Sequence, residues 1–96
     1  MVLKEPLDRD RATALIHAIA REGDIALSKH ASEEMAADRL SLLDCQNVMR
    51  CGAVTEPPDL ERGTWRYRIH TKHLCVVVAF RSETEVVVVT AWRKKR

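Results

Sequence analysis

Ninety-six residues with 46% hydrophobic content bound a single domain with one modest core. A formal net charge of +2 excludes a uniformly basic coat protein but leaves room for a local cationic patch. Three cysteines, Cys45, Cys51 and Cys75, form no CxxC pair, which excludes a disulfide framework and predicts a reducing, cytoplasmic setting.

The opening VLKEPLDRD carries charges where a secretory signal needs an apolar run, so no signal peptide is expected. The longest apolar runs, VVVAF and VVVV, are too short to span a membrane. Residues 8–22 read as a helix, with Ala12, Leu15, Ile16 and Ile19 on one stripe, Asp8 or Asp10 as its N-cap and Gly23 as its stop. His17 falls on the opposite face and is expected in solvent. Residues 25–27 suggest a brief strand. Ser28 can cap a second helix through SKHASEEMAADR, and Ser41-Leu-Leu-Asp44 reads as a capping box opening a third, which runs to Gly52. EPPDLERG reads as a loop.

The period then changes to two. Residues 65–70, 74–80 and 85–92 read as three strands joined by short turns. The predicted class is α+β: two to three N-terminal helices packed on a C-terminal antiparallel sheet of three to four strands. The two Val-rich strands are apolar on both sides. Both faces should therefore be partly covered, with helices on one.

From Thr64 onward the chain is basic: Arg66, Arg68, Lys72, Arg81, Arg93, Lys94, Lys95 and Arg96 stand against Glu83 and Glu85. The strand TWRYRIH concentrates part of this charge. Trp65, Tyr67 and Ile69 alternate to one face, Arg66, Arg68 and His70 to the other. One reading is a solvated face paired to acids such as Glu83 or Glu85. The functional reading is a phosphate clamp: a guanidinium grips phosphate with two parallel hydrogen bonds, and two arginines two residues apart sit about 7 Å apart along the backbone.

Lys29 and His30 open the second helix. A histidine there is usually just surface. However, the helix N-terminus disfavours added positive charge, which suits an imidazole to general-base work near neutral pH. In TAWRKKR, Trp92 is either core or a stacking platform for a base, and residues 93–96 are either a solvated tail or a polyanion contact. No metal-ligand spacing emerges, since Cys45 and Cys51 do not share a helix face, and no cofactor is predicted. Cys75 lies in the most apolar strand, where a buried thiol is inert.

The series SKHASEEM, Ser41-Leu-Leu-Asp44, WRYRI, VVVAF and VVVVTAWRKKR resembles a family of small bacterial domains of unknown function. Its members carry an H-A-x-x-x-M helix, an R-Y-R strand and a closing V-x-T-A-[WY]-R strand. In layout these are similar to the RelE, BrnT and MqsR toxins. The resemblance spans roughly residues 25–94. It implies a metal-independent endoribonuclease toxin of a type II toxin–antitoxin pair, with RNA as substrate and a small antitoxin, commonly of zinc-finger type, as partner. Such toxins cleave RNA by attack of a ribose 2′-hydroxyl on the adjacent phosphorus. On matched positions the resemblance assigns His30, Arg66, Arg68 and Arg93 to the site.

Together, the residues and the resemblance give one expectation. Arg66 and Arg68 clamp phosphate, Arg93 assists, and His30 or His70 carries protons. Lys29, Lys72, Trp92 and Lys94 add RNA affinity. Two departures stand out. Glu34 occupies a position where relatives often have Arg, and Arg39 stands where Gly would ease a left-handed helix end, which predicts a differently shaped connection. The alternatives are a non-catalytic RNA- or protein-binding module, and a homo-oligomer pairing basic and acidic faces.

Overall fold

The computed structural model describes residues 3–94. Three helices, α1 (Arg9–Glu22), α2 (Lys29–Ala37) and α3 (Leu42–Cys51), alternate with and precede six strands. These are β1 (Asp24–Leu27), β2 (Ala53–Val54), β3 (Asp59–Glu61), β4 (Thr64–His70), β5 (Leu74–Phe80) and β6 (Glu85–Arg93). The class is α+β, with more strands than the sequence periodicity indicates.

Each helix begins at the side chain expected to cap it. Asp8, Ser28 and Ser41 accept from the backbone N–H groups of Arg11, Ala31 and Asp44, and Asp44 returns the bond to Ser41 to complete the capping box. Those bonds from the Ser41 backbone and hydroxyl lower the Asp44 pKa. The connection after α2 keeps its left-handed end, contrary to expectation. Arg39 takes φ 55°, while its N–H donates to Ala36 and that of Leu40 to Met35. This is the paired closure that glycine usually provides, here made by an arginine.

The sheet runs β1-β6-β5-β4-β2, with β3 also on β4. It is mixed rather than antiparallel, because β1 pairs parallel to β6. EPPDLERG is not wholly loop. Its DLE is β3, folded onto β4 by a two-residue turn in which Arg62 and Gly63 take φ 50° and 79°, the positive pair that hairpin turns of this hand require. Val54 and Ala53 add the short β2. Gly52 precedes it at a close approach, where a Cβ would lie 2.7 Å from the His70 carbonyl oxygen.

The helices cover one face. Ile16 and Ile19 of α1, Met35 of α2 and Met49 of α3 are buried in one cluster with Tyr67, Ile69, Val78 and Val88. Each such side chain contributes about 1.5–3 kcal/mol, so Ile16→Ala would be among the most damaging changes. Tyr67 is core, as its alternation predicts. Its hydroxyl donates to Glu5 at 2.9 Å and accepts from the Leu7 N–H at 3.0 Å, which ties the N-terminal arm to the sheet. His17 is not solvated: it is half-buried and its Nε2 donates to the Gly52 carbonyl at 2.7 Å.

The helices leave the opposite face open. It carries Arg66, Arg68 and His70 of β4 beside Cys75, Val77 and Ala79 of β5. Arg68 pairs in register with Val77 and His70 with Cys75. A bulge in β6 decides what joins them. The register passes from Val77–Thr90 to Val78–Val88, so Val89 is an extra residue. That insertion turns Thr90 and Trp92 onto the open face. It also lets Ser28 Oγ donate to the Val89 carbonyl at 3.0 Å, which fixes the start of α2 against β6.

Candidate functional site

A cleft of about 160 Å³ on the open face is lined by Glu56, Arg68, His70, Cys75, Trp92 and Lys94. Four of the expected site residues therefore converge: Arg68, His70, Trp92 and Lys94. They come from β4 and the end of β6, held two strands apart by β5.

His70 is the organising side chain. Lys94 Nζ lies 2.6 Å from its Nδ1, and Thr55 Oγ1 lies 2.8 Å from its Nε2. An ammonium has only protons to give, so Nδ1 accepts and Nε2 carries the ring hydrogen. Glu56 Oε1 stands 3.5 Å from that same Nε2. The imidazole is thus held in one tautomer, with its N–H edge toward Thr55 and Glu56.

The arginines are engaged by acids, though not by Glu83 or Glu85. Arg68 Nη1 donates to Glu56 and Nη2 to Asp59, both at 3.1 Å. Arg66 Nη1 meets Glu61 at 2.7 Å. The β3 hairpin causes this, since its register sets Asp59 opposite Arg66 and Glu61 opposite Thr64. Cross-strand pairs this exposed contribute about 0.2–1 kcal/mol each, so a polyanion can exchange with them. Among the described residues, Arg66 Nε is buried without an acceptor.

Cys75 is buried at the floor of the cleft. Burial raises its pKa, and the nearby Lys94 and Arg68 charges only partly oppose that. It is a wall of the site rather than a nucleophile. Trp92 is 37% exposed, which leaves an indole surface open beside the cations.

The remaining expected residues lie elsewhere. His30 is exposed in the first turn of α2, on the helical side of the sheet, with Glu34 3.7 Å away. Lys29 is exposed beside it, and Lys72 is exposed in the β4–β5 turn. Arg93 is a helix cap. Its Nε and Nη2 donate to the carbonyls of Asp38 and Arg39, and its N–H donates to the Asp38 carboxylate. Those carbonyls close α2, where a cation is favoured. Lys95 and Arg96 of the basic tail lie outside the described residues.

Sequence reasoning missed Thr55, Glu56, Asp59 and Glu61. A signal was present in the Arg62-Gly63 pair. A two-residue turn there puts Glu61 against Thr64 and carries Asp59 to the arginine strand.

Fold and cleft together define a small α+β domain with a cationic, histidine-centred cleft on the helix-free face of a mixed sheet. The chain belongs to the family described as Domain of unknown function (DUF4258), whose model matches residues 27–93. No curated protein and no solved structure matches the chain. Helix α1 lies before the matched span. Among the described residues, no helix is long and apolar enough to cross a membrane.

Proposed function

We propose that this domain binds RNA in the His70 cleft and cleaves it as a metal-independent endoribonuclease. The observation that carries the reading is the convergence of Arg68, Lys94, Trp92 and a tautomer-fixed His70 in one small cleft. RNA cleavage by the 2′-hydroxyl needs cations for the phosphoryl oxygens, a proton for the leaving 5′-oxygen and a surface for a base. Arg68 supplies the first, His70 Nε2 backed by Lys94 the second and Trp92 the third.

The step balances with solvent as the one further participant, which takes the O2′ proton and returns one to Lys94. The ribose O2′ bonds to phosphorus and its proton leaves to solvent. The P–O5′ bond breaks, and O5′ takes the proton from Nε2 as Lys94 donates one to Nδ1. The products are a 2′,3′-cyclic phosphate and a 5′-hydroxyl. Proton transfer of this kind contributes about 10²–10⁴ in rate. His70 replaces His30 as the proton carrier, because His70 shares the cleft with the cations.

The motif series that resembles RelE- and BrnT-type toxins points the same way. It adds an antitoxin as partner and a cytoplasmic setting, which three free cysteines suit. A second reading, a non-catalytic binding module, is favoured by one observation: the fork of Arg68 already holds two carboxylates. The test is to incubate the purified chain with mixed-sequence RNA in EDTA and map the product ends. Cyclic-phosphate ends support the nuclease, whereas bound but intact RNA supports the module.

A further inference from the structure

We infer that residues 55–61 form an acidic strap that occupies the β4 arginines at the cleft in place of nucleic-acid phosphates, so that RNA must displace it. The inference rests on the RNA reading above and assigns that site a built-in competitor.

Three carboxylates of one short segment take up the cations of β4. Glu56 and Asp59 divide the two terminal nitrogens of the Arg68 fork, and Glu61 takes Arg66. Glu56 also reaches His70, so the strap meets the arginines and the imidazole together. Carboxylate and phosphate oxygens bind the guanidinium fork in the same way, which makes the two mutually exclusive. The match is imperfect. Among the described residues Arg66 Nε is left buried without an acceptor, a bond that the additional oxygens of a phosphate can complete. Every strap pair is exposed enough to be exchanged rather than permanent.

The strap is also anchored. Arg9 Nη1 donates to the Thr55 carbonyl at 3.1 Å, and the Val54 N–H donates to Thr13 Oγ1 at 3.0 Å. Both anchors stand on α1, which lies outside the span matched by the family model. At its other end the strap is β3, held by the hairpin to β4. Glu56 lies between these anchors and can lift locally, whereas Asp59 and Glu61 exchange at their side chains while β3 stays in place.

The test is a binding titration with a short unstructured RNA oligonucleotide, 2′-O-methylated throughout to prevent cleavage and labelled with fluorescein. Three proteins are compared at about 0.15 M salt, where the screening length is about 8 Å: the native chain, Glu56→Gln/Asp59→Asn/Glu61→Gln, and a control with the same charge change at the far end of the sheet, Glu22→Gln/Asp24→Asn/Glu83→Gln. The strap variant should bind on the order of tenfold more tightly than the native chain, about 1.4 kcal/mol. The control should gain far less, since screening separates its charges from the cleft. Equal gains by variant and control, or no gain, overturn the strap and leave the RNA reading standing. No binding by any of the three overturns the RNA reading, and the strap with it. Asp59→Asn alone, which leaves Glu56 and Glu61 in place, repeats the test if the triple variant does not fold. It should tighten binding by a smaller factor, and no tightening counts against the strap.

Discussion

Lys94 Nζ and His70 Nδ1 stand 2.6 Å apart, although Lys94 follows β6 and His70 ends β4, two strands separated by β5. The contact makes the ring a donor at Nε2. Replacing Lys94 with Met keeps an apolar stem over the cleft but removes the proton donor. Two-bond ¹H–¹⁵N spectra should show the ring hydrogen on Nε2 in the native chain and a mixture of tautomers in Lys94→Met. Cleavage should fall by a factor on the order of 10²; RNA affinity should fall much less. An unchanged spectrum would mean that Thr55 alone sets the tautomer.

Arg68 and Arg93 separate a phosphate contact from a helix cap. Arg68→Ala should weaken RNA binding and lower the slope of log K against log salt by about 1. Arg93→Ala should leave that slope nearly unchanged and lower the melting temperature, because α2 loses the guanidinium on its last carbonyls. If Arg93→Ala shifts the salt slope as much as Arg68→Ala does, its cap role is secondary.

Tyr67 gives a prediction on pH. Burial raises its phenol pKa from 10.0 to about 12, the Leu7 N–H opposes the rise and Glu5 adds to it. In the alkaline window between those values the native chain holds a proton that the unfolded chain has lost. Stability from this group is therefore complete below about pH 10 and disappears as pH rises to about 12. Urea unfolding across that range should fall more steeply for the native chain than for Tyr67→Phe. At neutral pH, Tyr67→Phe should cost about 1 kcal/mol for its two lost hydrogen bonds.

Arg39 holds a left-handed conformation at φ 55° that costs a side-chain-bearing residue energy. Arg39→Gly should stabilise the chain by about 1 kcal/mol, read as a higher melting temperature. A lower melting temperature would show that the arginine side chain contributes more than its backbone strain costs.

The sequence made some of this architecture readable and hid the rest for identifiable reasons. The alternation in TWRYRIH separates the Tyr67 face from the Arg68 face because a strand has a period of two. Ser28 and Ser41 mark their helices because capping chemistry is local. The parallel pairing of β1 sets Asp24 against Glu85, across α2, α3 and four intervening strands, which no local pattern encodes. β3 was hidden by its composition, since DLE lacks the apolar alternation of a strand and follows two prolines. The cleft itself depends on Val89. If Val89 paired regularly instead of bulging, Trp92 and Lys94 would share the buried side of β6 with Val86 and Val88. A valine bulge inside a run of valines leaves no trace in the sequence. His30 drew attention through its helix position, yet position along a helix says nothing about which face of the sheet that helix covers.

The central claim is that His70, and not His30, carries the proton in RNA cleavage. The most direct measurement is cleavage of mixed-sequence RNA in EDTA by the native chain, His70→Ala and His30→Ala, with product ends mapped for each. Cyclic-phosphate ends are expected from the native chain and from His30→Ala at similar rates, with a loss of at least about 10² in rate for His70→Ala. Retained cleavage by His70→Ala, or its loss only in His30→Ala, would contradict it.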